Sequence, residues 1–318
     1  MYDINYLLWL QSLRVASGGV CDGFFLFIST LSFGLIASVI YTSLYWCISK
    51  DAGTFMMFSC LIGGTANQFL KNTFCVYRPW IHSAALHPIA SAVPGATGYS
   101  FPSGHSAAAA SQYGGLALWY REKKVLAAFL FIVMLLIGFS RNYLGVHTPQ
   151  DVAVGLLIGL ASAWIACRYF KRMSPFAGTM NDVLAVAVLA GVGALLLIYT
   201  NVKTFHMDYS AGSLIVDPAK MRLDAYSCIG GLWGLLAGWL TERRLIRFTM
   251  PRNIWQGILR FIVGFLLFFA LGKNIGSVIP VVHSPALRSI VHYAFLNFFI
   301  MAVYPFMFVT AEKLFRKN

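Results

Sequence analysis

Apolar residues fill most of the chain in long runs, and short polar stretches separate these runs. A helix needs about 20 mainly apolar residues to cross the hydrocarbon core of a membrane. Nine runs approach this length, at residues 24–48, 54–76, 104–120, 124–141, 149–168, 181–200, 225–241, 255–272 and 288–311. The pattern predicts an all-α, polytopic helical membrane protein with about nine transmembrane helices.

The composition narrows the class further. Of the 318 residues, 58% are hydrophobic and only 11% are charged, whereas a soluble domain carries about 25% charged residues. A soluble fold and a disordered chain are therefore both excluded. The six cysteines show no CxxC or other ligand spacing, which favours small buried apolar side chains over a metal or redox site.

The chain has a net charge of +13, and its Lys and Arg residues lie mostly at the ends of the apolar runs. This placement favours a membrane protein, and we expect no nucleic-acid partner. Fourteen Lys and Arg residues flank the spans on one side, against nine on the other. The richer side is predicted to be cytoplasmic, which places the N-terminus outside and the C-terminus inside.

Residues 1–23 precede the first predicted span. They lack a basic start before an apolar run, so no cleavable signal peptide is expected. Their apolar cluster is too short to span a membrane. It predicts a helix in the outer interface, with Trp9 as an anchor.

Polar residues collect in three segments that this topology places on the outer face. The first contains Lys71 and Arg78 at the end of the second predicted span. Their spacing of seven residues predicts two cations about two turns apart on one helical face. Alternatively, Lys71 and Arg78 have no role in a site and simply extend their charged groups toward the membrane–water interface.

The second segment, Tyr99–Ser106, opens the third predicted span. Ser103 is a plausible N-cap, and Gly104 leaves the amides of the first turn open to an anion, with His105 beside them. A capped helix start with an interfacial histidine explains the same residues.

The third segment carries Arg141, His147 and Asp151. Thr148 and Asp151 have the spacing of a capping box, with Pro149 as the first helical residue. Asp151 also lies four residues after His147, within reach of one imidazole nitrogen. A carboxylate there fixes the tautomer and leaves the other nitrogen nucleophilic. The two roles of Asp151 are compatible.

The three segments together indicate phosphate chemistry. Three cations around one small site suit a phosphate-like anion, and two histidines suit a covalent route. Lys-x6-Arg-Pro, Pro-Ser-Gly-His and Ser-Arg-x5-His-x3-Asp follow one another in order. This arrangement resembles the three-part signature of the type 2 phosphatidic acid phosphatase superfamily, and the resemblance covers about residues 24–170.

The resemblance implies a role for each matched residue. His147 attacks phosphorus and forms a phosphohistidine, Asp151 orients His147, and His105 protonates the leaving oxygen and then activates water. The phosphoryl oxygens are held by Lys71, Arg78, Ser103, Gly104 and Arg141. No metal and no cofactor are implied. A bell-shaped pH profile is expected, because His147 must be neutral and His105 protonated.

The resemblance also implies an organisation for the chain. A phosphatase core of six helices over residues 24–200 is expected after the interfacial segment 1–23, with a three-helix membrane extension over 201–318. Residues 80–101 are either a substrate-recognition loop or a connector.

The loops 201–224 and 273–287 are interpreted as solvated, with a cover over the site as the alternative. Glycines at spacing four in the span 225–241 indicate close helix packing, and a homodimer contact is the alternative.

The leading hypothesis is a metal-independent lipid phosphatase that acts on a phosphate monoester or diphosphate at the outer membrane face. A bacterial cytoplasmic membrane is the expected location, with the lipid substrate and membrane lipids as partners. A phosphatase of a soluble ester, as in glucose-6-phosphatases, a lipid phosphotransferase and a non-catalytic lipid transporter remain alternatives.

Overall fold

The computed structural model describes residues 2–172, 180–210, 212–278 and 284–315, and helices dominate them. The helices are α1 Tyr2–Ala16, α2 Asp22–Thr30, α3 Gly34–Ser43, α4 Lys50–Phe74, α5 Pro79–His82, α6 Gly104–Ala109, α7 Gly115–Trp119, α8 Lys124–Tyr143, α9 Pro149–Arg172, α10 Met180–Val202, α11 Pro218–Thr241, α12 Ile254–Val278, α13 Pro285–Phe298 and α14 Tyr304–Phe315. Four π-helical turns extend or join helices, at Leu44–Ile48, Ala110–Gly114, Glu242–Ile246 and Phe299–Val303. The two short strands, β1 Tyr209–Ser210 and β2 Ser213–Leu214, pair antiparallel. The all-α prediction is confirmed.

Five helical stretches are long and apolar enough to cross a membrane: Lys124–Tyr143, Pro149–Arg172, Met180–Val202, Ile254–Lys273 and Pro285–Leu314. A sixth forms if the bent pair Asp22–Thr30 and Gly34–Ile48 counts as one span. Within the described residues, the predicted count of nine is therefore not confirmed. The predicted spans 54–76, 104–120 and 225–241 are helical but do not meet the same criteria of length and composition.

The predicted span 24–48 is bent by 46° rather than continuous. Gly34, with φ of +64°, follows the break. Two side chains of the π-helical turn after α6 bond to carbonyl oxygens there. Gln112 donates to the Ser32 oxygen at 3.0 Å, and Tyr113 donates to the Leu31 oxygen at 2.9 Å. A helix break leaves carbonyl oxygens without hydrogen bonds, and such unsatisfied groups are costly in hydrocarbon. The bonds from Gln112 and Tyr113 satisfy two of them.

The chain divides into two compact units. Unit 1 comprises Met1–Ser38, Ile62–Arg168 and Phe205–Met221. In it, α9 lies directly on α6. A Cβ added at Gly155 would lie 2.5 Å from the Ser103 oxygen, and one at Gly159 would lie 2.3 Å from the Ala107 oxygen. Glycine permits this approach, which brings the second and third polar segments together.

The N-terminal helix α1 also belongs to unit 1. Leu7 and Leu10 are buried in a cluster with Leu86, and Gln11 donates to the Ala85 oxygen at 3.0 Å. Trp9 is 55% exposed. The segment predicted to lie in the interface is thus a helix packed on the loop 80–101.

The loop 80–101 covers the residues that precede His147. Ala92 and Ala96 pack with Leu144 and Val146, and the Ile89 amide donates to the Leu144 oxygen at 3.1 Å. The loop 80–101 is therefore packed on the chain next to His147, which favours a role at the site over that of a plain connector.

Unit 2 comprises Val39–Leu61, Tyr169–Thr204 and Arg222–Asn318, and its core is rich in buried aromatic side chains. Two of them serve the π-helical turn Phe299–Val303. Tyr45 donates to the Met301 oxygen at 3.1 Å, and Trp46 donates to the Ile300 oxygen at 2.9 Å. A wider helical turn leaves carbonyls off the regular ladder, and these bonds satisfy them.

The glycines of α11 face α13 within unit 2. A Cβ added at Gly230 would lie 2.2 Å from the Ile290 oxygen, and one at Gly234 would lie 1.9 Å from the Ala294 oxygen. This is the close intramolecular packing that the glycine spacing indicated. A homodimer stays an untested prediction.

Candidate active site

Lys71 lies in the last turn of α4 and is buried. Its ammonium donates to the carbonyl oxygens of Tyr99 at 2.7 Å, Ser100 at 3.3 Å and Pro102 at 2.9 Å. The first polar segment is thereby fixed to the second.

Arg78 does not share a helical face with Lys71, and that prediction is wrong. Helix α4 ends at Phe74, Cys75 adopts a left-handed conformation with φ of +50°, and Arg78 follows in extended backbone. The spacing of seven residues misled because a helix end lies between the two cations.

The Arg78 guanidinium is buried and spans several backbone segments. It donates to the carbonyl oxygens of Thr97, Gly98 and Val146, each at 3.0 Å. Burial lowers the pKa of Arg78 to about 10, and the Asp151 carboxylate opposes that shift. The group keeps its charge at neutral pH.

Ser103 caps α6 as predicted. Its hydroxyl accepts the Ser106 amide at 3.3 Å, and its own amide donates to the Asp151 backbone oxygen at 2.9 Å. A Cβ at Gly104 would meet no protein atom closer than 3.7 Å. A Cβ at this position would thus be in ordinary van der Waals contact with Asn67 and Phe33.

Arg141 lies in the last turn of α8 and is 2% exposed. Its Nε and Nη2 atoms have no hydrogen-bond partner among the residues that the structure describes. A buried charge without such bonds is costly. An anion of matching geometry is the ligand that would satisfy both atoms.

His147 lies in the short connection between α8 and α9 and is 2% exposed. Its Nδ1 is 3.3 Å from Asp151 Oδ2, and its Nε2 is 2.8 Å from Arg78 Nη1. Because a guanidinium can only donate, Nε2 is the unprotonated nitrogen and Nδ1 carries the proton. Burial, followed by the charges of Arg78, Lys71 and Arg141, keeps the pKa of His147 well below its usual range.

Asp151 performs both of the tasks that its position predicted. Its Oδ2 accepts the Thr148 amide at 2.8 Å, and the Asp151 amide approaches Thr148 Oγ1 at 3.3 Å, which completes a capping box. The same Oδ2 faces His147 Nδ1.

Ser100 is a site residue that the sequence reasoning missed. Its hydroxyl donates to Asp151 Oδ2 at 2.6 Å and lies 3.4 Å from His147 Nδ1. It stands just outside Pro-Ser-Gly-His, and its partner is 51 residues away, so only its place beside that motif could have drawn attention to it.

His105 completes the cluster. Its ring lies against Phe33, with the ring centroids 4.6 Å apart. Lys71, Arg78, Arg141 and His147 all act electrostatically on this ring. The structure thus gathers every sequence-predicted site residue into unit 1.

The fold and this site define an integral helical membrane protein with a buried histidine, held by a carboxylate, among three cations. The PAP2 superfamily model matches residues 52–175, and the model "PAP2 superfamily phosphatase, transmembrane extension" matches residues 226–316. Together the two models cover more than half of this chain. The chain therefore belongs to the PAP2 superfamily.

Curated relatives match over part of their length. Undecaprenyl-diphosphatase BcrC of Bacillus subtilis is 28% identical over 36% of this chain and 56% of its own length. Phosphatidylglycerophosphatase B of Escherichia coli K12 is 37% identical over 27% of this chain and 37% of its own. Lipid A 1-phosphatase of Rhizobium johnstonii is 30% identical over 38% of this chain and 48% of its own. The chain thus spans roughly two fifths to just over half of these relatives. No solved structure matches it significantly.

Proposed function

We propose that the chain is a membrane lipid phosphatase that hydrolyses a phosphate monoester or diphosphate through a phosphohistidine. The observation that carries the proposal is the pairing of His147 with Asp151 beside Arg141, whose Nε and Nη2 have no partner among the described residues. This pairing offers a nucleophile and a charge for the phosphoryl oxygens in one place.

In the first step, the lone pair of His147 Nε2 attacks phosphorus while the bond to the leaving oxygen breaks. His105 gives its proton to that oxygen. In the structure Arg78 Nη1 donates a hydrogen bond to His147 Nε2 at 2.8 Å. As the phosphate enters, Arg78 donates this bond to a phosphoryl oxygen instead, which frees Nε2. Arg141 and the first turn after Ser103 hold the remaining oxygens.

In the second step, water attacks the phosphohistidine. His105 accepts the proton of the water, the N–P bond breaks, and inorganic phosphate leaves with His147 neutral again. Asp151 keeps the Nδ1 proton in place throughout, as an orienting carboxylate does. Neither step needs a metal or a cofactor.

The substrate class follows from the membrane setting and from the relatives' names. Those names specify an undecaprenyl diphosphate, a phosphatidylglycerophosphate and lipid A. We propose a bacterial cytoplasmic membrane with the site on the periplasmic side, supported by the Lys and Arg bias of the loops. The proposal assigns catalysis to residues 24–200, with 1–23 and 201–318 in supporting roles.

The test is phosphate release by detergent-purified protein in EDTA. The panel contains undecaprenyl diphosphate, phosphatidylglycerophosphate, phosphatidic acid, lipid A, sphingosine phosphate and glucose 6-phosphate. We expect EDTA-resistant release from at least one lipid, and its loss in His147→Ala. His82→Ala removes an exposed histidine and is the matched control, expected to equal wild type.

The intermediate has its own readout. Rapid quenching with labelled substrate should leave an acid-labile, alkali-stable label on wild type and none on His147→Ala. Release that EDTA abolishes would refute the metal-independent route. Release only when an acceptor lipid is added would identify a phosphotransferase, and no release from folded protein would favour a transporter.

A further inference from the structure

Residues 205–221 lie between the two matched regions, since the family models cover 52–175 and 226–316. The sequence pattern favoured a solvated loop here. Residues 206–209 are indeed exposed, but Phe205–Met221 belongs to the same compact unit as the candidate site. This 205–221 segment contacts the residues next to Arg78 and Ser100.

The first contact is made to Tyr77, the neighbour of Arg78. The Tyr77 hydroxyl donates a hydrogen bond to Asp208. Asp208 is itself fixed, because its backbone oxygen accepts the Ile215 amide at 2.9 Å. The bond to Asp208 raises the pKa of Tyr77 to about 12, with burial adding to the shift, so the phenol remains a donor at neutral pH.

The second contact is made to Tyr99, the neighbour of Ser100. Tyr99 is 1% exposed and is buried in a cluster with Val216 and Met221. The ring of Phe205 stacks on it, with the ring centroids 6.4 Å apart. Tyr77 joins the same group, with its ring centroid 5.8 Å from that of Tyr99.

Met221 also closes the space over Gly98. Gly98 has φ of +73°, and a Cβ there would lie 2.5 Å from the Met221 sulfur. The Met221 backbone oxygen accepts Gln68 Nε2 at 3.3 Å, one turn before Lys71 in α4. Met221 therefore touches the backbone whose oxygens hold Arg78 and the helix that carries Lys71.

The backbone stretches that carry Tyr77 and Tyr99 are hydrogen-bonded to each other. The Ser100 amide donates to the Val76 oxygen at 2.7 Å. The 97–102 stretch supplies carbonyl oxygens to Lys71 and Arg78, and Ser100 donates its hydroxyl to Asp151. A continuous set of hydrogen bonds thus connects the backbone at Tyr99 to both cations and to the Asp151 carboxylate.

We infer that the 205–221 segment is a positioning element of the active site, which holds Tyr77 and Tyr99 so that Lys71, Arg78 and Ser100 keep their places. This inference rests on the proposed function, because it assigns the segment a part in that reaction. The segment touches none of the proposed reacting atoms and acts through its two tyrosine contacts.

The test compares two methionines of the segment. Met221→Ala removes buried support for Tyr99, whereas Met207→Ala makes the same change at a side chain that is 61% exposed. We expect kcat to fall about tenfold in Met221→Ala, since small misplacements of catalytic groups cost one to two orders of magnitude. KM should stay within about threefold, Met221→Leu should restore most of kcat, and Met207→Ala should equal wild type.

The pH profile separates positioning from mere structural loss. His147 faces the cations Lys71, Arg78 and Arg141, the second histidine His105, and the carboxylate of Asp151. A loosened, wetter site lets the pKa of His147 rise toward its usual range. Since His147 must be neutral to attack, the acid limb should move to higher pH in Met221→Ala. It should not move in Met207→Ala.

A second pair of variants covers the case in which Met221→Ala does not fold. Tyr77→Phe removes the hydroxyl that bonds to Asp208, and Tyr209→Phe makes the same change at an exposed residue. We expect about a threefold fall in kcat for Tyr77→Phe alone, since exposed hydrogen bonds are worth less than buried ones. Equal kcat and equal acid limbs in both pairs would overturn the inference.

Vanadate binding, measured by calorimetry, reads the anion site without turnover. We expect Met221→Ala, or Tyr77→Phe in its place, to bind vanadate several-fold more weakly than its control. Equal affinities would overturn the inference even if no substrate is found. A wild-type protein that binds vanadate but releases no phosphate would refute the proposed function alone.

Discussion

The two compact units hold their buried and partly buried cations in different ways. In unit 2, Arg260 makes two bonds to Glu312, at 2.8 and 3.0 Å, and Arg243 bonds to Asp182 at 2.8 Å. Lys50 bonds to Glu242, which is 2% exposed. Each of these cations has a carboxylate of the protein as its partner.

In unit 1, Arg78 is held by carbonyl oxygens and by His147, and Arg141 has two nitrogens without a partner among the described residues. Breaking a buried ion pair is costly because the remaining charge is left uncompensated. The Arg141 guanidinium carries a cost of the same kind, and the phosphoryl group of the proposed function would offset it. The three cations named in unit 2 thus have carboxylate partners within the fold, whereas the proposed function gives Arg141 a phosphoryl group as its partner.

The largest effect is expected at Arg141. Arg141→Gln should lower kcat/KM about 10³-fold, because it removes a buried donor aimed at the charge of the transition state. Its melting temperature in detergent should stay equal or rise, since an uncompensated cation is lost. Arg121→Gln, at an exposed arginine paired with Glu122, is the control. A fall in stability with unchanged kcat/KM would contradict the comparison.

Glu242→Gln should show the opposite behaviour. It leaves Lys50 without its carboxylate and weakens the bond that the Phe248 amide makes to Glu242 at 3.0 Å. We expect a loss of roughly 3 kcal/mol in the free energy of unfolding, seen as a lower melting temperature. The kcat of the folded protein should be unchanged, as should both quantities in Glu122→Gln. A large loss of kcat would show that unit 2 takes part in the chemistry.

The smallest effect concerns pH. The pKa of His147 lies well below 6.5 because of burial and three neighbouring cations. Phosphate release should therefore persist below pH 6.5 and decline only as the pH falls through that lowered pKa. A profile of kcat/KM against pH, measured at fixed ionic strength, checks this. An acid limb centred at or above the usual histidine pKa would mean that burial and the cations do not lower the pKa of His147 in the working enzyme.

Local contacts of the site were predictable from the sequence. The cap at Ser103, the capping box of Thr148 and Asp151, and the reach from Asp151 to His147 all follow from spacings of three or four residues. Such contacts depend on the local geometry of a helix start, which capping residues at fixed spacing predict.

Contacts between distant segments were not predictable in this way. The bond from Ser100 to Asp151 and the support that Met221 gives to Gly98 depend on how whole elements pack. The bend before Gly34 was missed because no charged residue interrupts the run 24–48, although Ser29, Thr30 and Ser32 lie at the break. The count of nine spans is not confirmed within the described residues, and in α4 the buried polar side chains of Asn67 and Gln68 lower the hydropathy of the predicted span 54–76.

Asp151 also has a consequence for the order in which the protein assembles. Its partners Thr148 and His147 are three and four residues away, whereas Ser100 is 51 residues away. Closing a short loop costs less entropy than closing a long one. We therefore expect the cap of α9 and the contact between Asp151 and His147 to form together early in folding, before Ser100 reaches Asp151. The residue proposed as the nucleophile would then be oriented before the rest of the site assembles.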